Sequence, residues 1–269
     1  MHSHVSHRPA PNFPMKLPLL ASLAFALLAA APARADNYSH KEPFSRSAAF
    51  NANGEVSLSN VNGDIVIETW DKNEILIEGE KSARTEEELK AIELTMDLSA
   101  DRAAIEVRLP KRSGGWFGNN SIRGAVKFRL KVPATATLDE IKTVNSSIKI
   151  DGVRGAVTAH SVNGRVRAHD LGGSARLRTV NGQVEASFTA IAAQQELSFN
   201  TVNGSIHVAL PADAGLQLSG SVVNGHIDCD FPIQVQGRIG GKRLSGTIGD
   251  GRATLRAESV NGSIDLAKR

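Results

Sequence analysis

This sequence is short of the residues that most functional classes need. One cysteine, Cys229, occurs in 269 residues. No internal disulfide can therefore form. Cys229 also lies too far downstream to carry a lipid at a processed N-terminus. Aromatic residues make up 4% of the chain, too few for a platform that stacks nucleic-acid bases. The formal charge is only +3, and Arg8, Lys16 and Arg34 account for all of it. Beyond Ala35 the chain holds 28 basic and 28 acidic residues. A nucleic-acid partner needs a retained basic surface, so none is expected. No apolar run reaches the roughly 20 residues of a membrane-spanning helix. Nucleophile elbows, phosphate-binding P-loops and calcium-binding nonapeptide repeats are all missing. Hydrophobic residues at 41% are still enough for a packed core and too many for a disordered chain.

The first feature present is a leader. Met15 to Ala35 carries a basic Lys16, then 14 mostly apolar residues from Leu17 to Ala30. Ala33 and Ala35 give the small side chains of a cleavage site before Asp36. This is the layout of a secretory signal peptide. Met15 is a second available start. His2, His4 and His7 fall in the removable segment and are not read as a metal site. The expected product is exported, periplasmic or cell-surface associated, with no transmembrane anchor.

The second feature is a repeat. Val-Asn-Gly begins at Val61, Val162, Val180, Val202, Val223 and Val260. Val144-Asn145-Ser146 is a seventh copy with Ser for Gly, and Leu244-Ser245-Gly246 is a degenerate eighth. Asn tolerates the left-handed backbone and Gly occupies it freely. The corners Asn62-Gly63, Asn145, Asn163-Gly164, Asn181-Gly182, Asn203-Gly204, Asn224-Gly225 and Asn261-Gly262 are therefore expected to be structural. After each corner, apolar residues alternate: Ile148/Ile150, Val166/Ala168, Val184/Ala186, Ile206/Val208, Ile227/Cys229 and Ile264/Leu266. Period two marks strands buried on one face. A strand also precedes each corner, as in Ala175-Leu177-Thr179.

These units suit an all-β solenoid, a parallel β-helix in which like positions stack about 4.8 Å apart. Val would pack under Val, Asn would ladder on Asn, and the preceding Ser or Thr would form a hydroxyl column. The rival is an antiparallel sandwich or meander, because Asn-Gly also favours hairpins. The solenoid predicts one outward column: Lys149, Arg167, Glu185, His207, Asp228 and Asp265. Residues 1–35 are read as signal peptide, 36–133 as an N-terminal β module capping the stack, and 134–269 as the repeat solenoid. Ile264 to Arg269 would be a blunted terminal edge. Thr85 followed by Glu88 predicts a short helix between 85 and 93. The Gly-rich segment from Lys111 to Ser121 presents Trp116 and Phe117 as a candidate contact tip.

Candidate chemistry is sparse. His40, His160, His169, His207 and His226 lie in no metal-ligand motif. His207 and His226 could be neighbours in successive repeats. Asp228, Asp230 and Asp265 are the carboxylates a polysaccharide-cleaving enzyme on a β-helix would use. Cys229 replaces an inward apolar residue and reads as a buried thiol. No catalytic, cofactor-binding or metal residue is assigned.

The [ST]-V-N-G-x-[IV] series, Asn62-Gly63-Asp64-Ile65 and the step Lys131-Val132-Pro133 together resemble the bacterial putative-adhesin family. This is a domain of unknown function built of β-strand repeats. The resemblance runs from about Phe50 to Leu266. It implies a β-solenoid-like fold and a role at the cell envelope. It implies no catalytic residues and no cofactor. The leading expectation is a non-enzymatic, adhesin-like envelope protein whose partner is an unidentified envelope component or a second copy. A polysaccharide hydrolase or lyase and a self-assembling envelope-stress scaffold are the alternatives.

Overall fold

The computed structural model describes residues 38–109, 124–235 and 242–269. The strands run, in order, β1 (His40–Ala49), β2 (Glu55–Ser59), β3 (Ile65–Trp70), β4 (Glu74–Ala83), β5 (Glu93–Leu98), β6 (Arg102–Arg108) and β7 (Gly124–Pro133). They continue as β8 (Thr137–Thr143), β9 (Ile148–Asp151), β10 (Val157–Ser161), β11 (Val166–Leu171), β12 (Ala175–Asn181), β13 (Val184–Phe188) and β14 (Glu196–Asn203). The last are β15 (Ile206–Leu210), β16 (Leu216–Asn224), β17 (Ile227–Cys229), β18 (Gln234–Val235), β19 (Arg243–Ile248), β20 (Ala253–Asn261) and β21 (Ile264–Lys268). One short helix, α1 (Glu86–Lys90), begins where the Thr85 side chain accepts the Glu88 amide at 3.1 Å.

Two strands make a rung, one in each of two sheets. The first sheet runs β1-β4-β7-β3-β9-β11-β13-β15-β21-β17, and the second runs β18-β19-β16-β20-β14-β12-β10-β8-β2-β6-β5. The body of both sheets is parallel. The fold is therefore β-solenoid-like, and the antiparallel sandwich does not describe the body. Each Asn-Gly corner carries the chain from one sheet to the other instead of folding it back beside itself. Antiparallel pairing is confined to the ends, in β1–β4–β7, β5–β6 and β16–β19–β18.

The core is a set of columns. Ile65, Ile148, Val166, Val184, Ile206 and Ile264 stack in the first sheet. Leu138, Val157, Ala175, Leu197 and Leu255 stack in the second. All are buried. Fully burying a large aliphatic side chain contributes about 1.5–3 kcal/mol, so the columns supply the stability that a disulfide cannot. Phe188 and Phe199, whose ring centroids are 6.3 Å apart, fill the space between the sheets.

Four expectations need correction. The rung β20/β21 lies inside the stack, with β14/β15 on one side and β16/β17 on the other. Ile264 to Arg269 is therefore no terminal edge. The Arg269 amide donates to the Leu210 carbonyl at 2.8 Å, and its guanidinium pairs with Asp170. The short β17 is the edge strand instead. Second, Leu244-Ser245-Gly246 is not a corner. It lies in β19, antiparallel to β16. Third, the corner valines do not pack inside. Val144, Val202, Val223 and Val260 are 38–52% exposed, because each follows a buried residue, Thr143, Thr201, Val222 or Ser259, and strand alternation turns the next side chain outward. Fourth, no corner Asn has a positive φ among the described residues. β1 has no counterpart among the expected strands, since its mostly exposed, charge-rich residues show no alternation.

Candidate functional site

The corners build three parallel columns along the solenoid. Side-chain amides link Asn145 to Asn62, Asn163 to Asn145, Asn181 to Asn163, Asn203 to Asn181, Asn261 to Asn203 and Asn224 to Asn261, each at 2.8–2.9 Å. Each inner Asn donates to one neighbour and accepts from the other. The expected ladder is present and it faces solvent. Beneath it lies a buried hydroxyl column. Ser161 donates to the Ser146 carbonyl at 2.9 Å, Thr179 to Gly164 at 2.8 Å, Thr201 to Gly182 at 2.9 Å and Ser259 to Gly204 at 3.0 Å. Val222 takes this position in β16 and cannot donate.

The third column is glycine, and close approach explains it. A Cβ on Gly164 would collide with the Ser146 carbonyl, on Gly182 with Gly164, on Gly204 with Gly182, and on Gly262 with Gly204. Rungs at β-sheet spacing leave no room for a side chain there. The exception, Ser146, sits over Gly63. There the Ser146 hydroxyl accepts the Gly63 amide at 2.6 Å and donates to the Asn145 carbonyl at 2.6 Å. Gly63 itself has φ 106°, so this corner is built differently and makes room for Ser.

The outward column on the first sheet is stacked in the order Lys149, Arg167, Glu185, His207, Asp265, Asp228. The side chains face out as expected, with the last two exchanged. Arg167 pairs with Glu185 at 3.3 Å. Lys149 turns away from Arg167 to Asp151 at 2.6 Å, which relieves the like-charge neighbour. His207 meets Asp265 at 3.3 Å, so its neighbour is Asp265 and not His226. His226 bonds Asp228 through Nε2 at 3.1 Å and contacts the Ser263 hydroxyl through Nδ1 at 3.0 Å.

Ser263, His226 and Asp228 thus form a nucleophile–base–carboxylate chain that sequence spacing did not reveal. Its histidine and aspartate side chains are about two-thirds exposed, at 68% and 66%. Nucleophilic catalysis of this kind depends on dry, preorganised donors, and an imidazole in open solvent lacks them. Asp230 accepts the Lys268 amide at 3.3 Å and is a structural tie. Cys229 is half-buried, and burial pushes its thiol pKa up, away from nucleophilic character. Among the described residues no group of three His, Cys, Asp or Glu could hold a metal. No described helix is long and apolar enough to cross a membrane. Trp116 and Phe117 lie outside the described residues.

These columns coincide with a known repeat family. Residues 140–267 match the Toastrack DUF4097 family. The Toastrack match opens in β8 and closes in β21, so β2/β3 and β6/β7 extend the stack beyond it. Among solved structures, the chain is similar to a putative cell adhesion protein of Clostridium sporogenes, at 13% identity and TM-score 0.48, covering 85% of this chain and 100% of that one. It is also similar to a putative adhesin of Bacteroides fragilis, at 10% identity and TM-score 0.39, covering 84% and 97%. A third is a putative lipid binding protein of Parabacteroides distasonis, at 16% identity and TM-score 0.33, covering 84% and 96%. No curated protein matches the chain.

Proposed function

We propose that this protein is exported through its leader and acts at the cell envelope as a non-enzymatic, adhesin-like binding surface. The carrying observation is the in-register stack of polar side chains over a continuous core. Asn-to-Asn bonds and paired rungs hold the outer columns in fixed positions at β-sheet spacing. Such a surface suits recognition of an extended partner by hydrogen bonds. The N-terminal module, residues 36–133, continues the stack and serves as its cap under this reading. The partner is an envelope component or a second copy. A second copy joined edge to edge is the weaker case. β17 has three residues, and β1 carries Lys41, Glu42, Pro43 and Arg46, all of which disfavour strand addition.

The test is expression of the whole precursor in a bacterial host, followed by fractionation and N-terminal sequencing. The reading expects a mature chain beginning at Asp36 outside the cytoplasm that pellets with washed envelope fragments. An unprocessed cytoplasmic chain, or one that never pellets, overturns it. The hydrolase reading has one specific observation in its favour, the Ser263–His226–Asp228 chain. Ester or glycan hydrolysis abolished by Ser263→Ala would establish it over the binding role.

A further inference from the structure

The second sheet carries a groove on its outer face that runs along the solenoid axis. Its volume is about 560 Å³, and a further hollow of about 190 Å³ continues it past Arg176, Glu196 and Ser198. One register column forms the floor: Arg176, Ser198, Arg256, Ser219 and Ser245 lie side by side on β12, β14, β20, β16 and β19. The serines are short, so the floor is low wherever an arginine is not. Arg176 and Arg256 are exposed, and neither forms an ion pair among the described residues. Two strand steps separate them, about 10 Å at β-sheet spacing. Glu196 lines the same groove without closing on either arginine.

We infer that this groove binds an acidic polysaccharide, laid along the axis with carboxylates on Arg176 and Arg256. An unpaired guanidinium offers a planar fork that fits a carboxylate. The hydroxyls of Ser198, between the arginines, and of Ser219 and Ser245, beyond Arg256, both donate and accept, which matches sugar hydroxyls. Glu196 supplies an acceptor at the wall for a sugar O–H. The lining has no aromatic ring on which a base could stack, and its leucines point into the core, leaving little apolar surface for lipid tails. An anionic glycan is the partner that uses both the charge and the hydroxyls. This inference rests on the envelope-binding reading above and names the class of partner.

The test is affinity electrophoresis of the mature chain in gels containing polygalacturonate, with dextran as the neutral control. The mature chain should be retarded by polygalacturonate and not by dextran. Each of Arg176→Ser and Arg256→Ser should weaken binding roughly tenfold, as expected for losing a hydrogen bond between charged groups. Lys replacements should recover only part of it, since charge returns without the fork. Ser198→Glu, between the two arginines, should block binding independently. All are exposed or half-exposed positions, and an unchanged melting temperature verifies the fold. No retardation, equal retardation of a variant carrying both Arg176→Ser and Arg256→Ser, or binding to phosphatidylglycerol vesicles in place of the glycan overturns the inference. Pelleting with envelope fragments separates the two proposals. If the double arginine variant pellets as well as the parent, the groove assignment fails and the envelope role stands. If neither pellets, the envelope role fails.

Discussion

Asn261 donates its side-chain amide to Asn203 at 2.8 Å, although 58 residues separate them. Asn224, which precedes Asn261 in the chain, stacks beyond it. The last repeat is thus inserted one place in from the end of the ladder. The chain lays down β16/β17, loops through β18 and β19, then fills the gap it left. Stability in this protein should therefore not behave as a sum over repeats taken in chain order.

Removing residues 253–269 tests this directly. In a sequential array that deletion would shorten the stack by one rung. Here it strips the partner from β14 and from β16 together. The truncated chain is expected to lose its cooperative melting transition by circular dichroism. A truncated chain that still melts cooperatively, a few degrees lower, would contradict the inserted rung.

The glycine column should outweigh the asparagine ladder. Gly182→Ala forces a Cβ against the Gly164 carbonyl, which is backbone and cannot swing away. A cost of about 1–3 kcal/mol is expected, the range for overpacking. Asn181→Ala removes two exposed amide bonds, and about 1 kcal/mol is expected. Urea titration of both variants decides the order. A larger loss for Asn181→Ala would place the stabilisation in the ladder.

The hydroxyl column predicts a gain as well as a loss. Thr179→Val should cost about 1 kcal/mol, since it removes one buried hydrogen bond. Val222→Thr restores the missing hydroxyl in β16, where Val222 registers with Ser259. It should add about 1 kcal/mol if the new group reaches the Gly262 carbonyl. Paired denaturation curves would show the two variants moving in opposite directions.

His160 gives the protein a pH dependence. Burial, and then the nearby Arg178 guanidinium, hold its pKa below the ordinary value of 6.5. The folded state therefore favours the neutral ring, while the unfolded chain takes up its proton first as pH falls. Between the ordinary value and the lowered one, the unfolded state binds more protons, so stability rises with pH across that window. Melting temperature should fall as pH drops below about 6.5, and His160→Gln should flatten the change. Glu106 and Asp250 are held below the ordinary carboxylate values by Arg108 and Arg252. Parallel curves for parent and variant down to pH 5 would rule His160 out.

Much of this architecture was readable from the residues alone. The recurring Asn-Gly corner and the alternation after it located most strands from Glu55 onward and foretold the Asn ladder and the hydroxyl column. Those are local signals, because side-chain direction alternates along any strand. The exposed valines were also implicit, since three of the four, Val144, Val202 and Val260, follow a buried Ser or Thr. Only the tertiary structure decided which rung stacks on which. Corners of identical sequence are interchangeable neighbours, so nothing local says that Asn261 belongs beside Asn203. The same holds for the groove. Arg176 and Arg256 are 80 positions apart in number, and only the register through Ser198 sets them on one floor. The role of glycine changed for a physical reason too: its absent side chain serves the carbonyl of the next rung, a contact that exists only once the stack has formed.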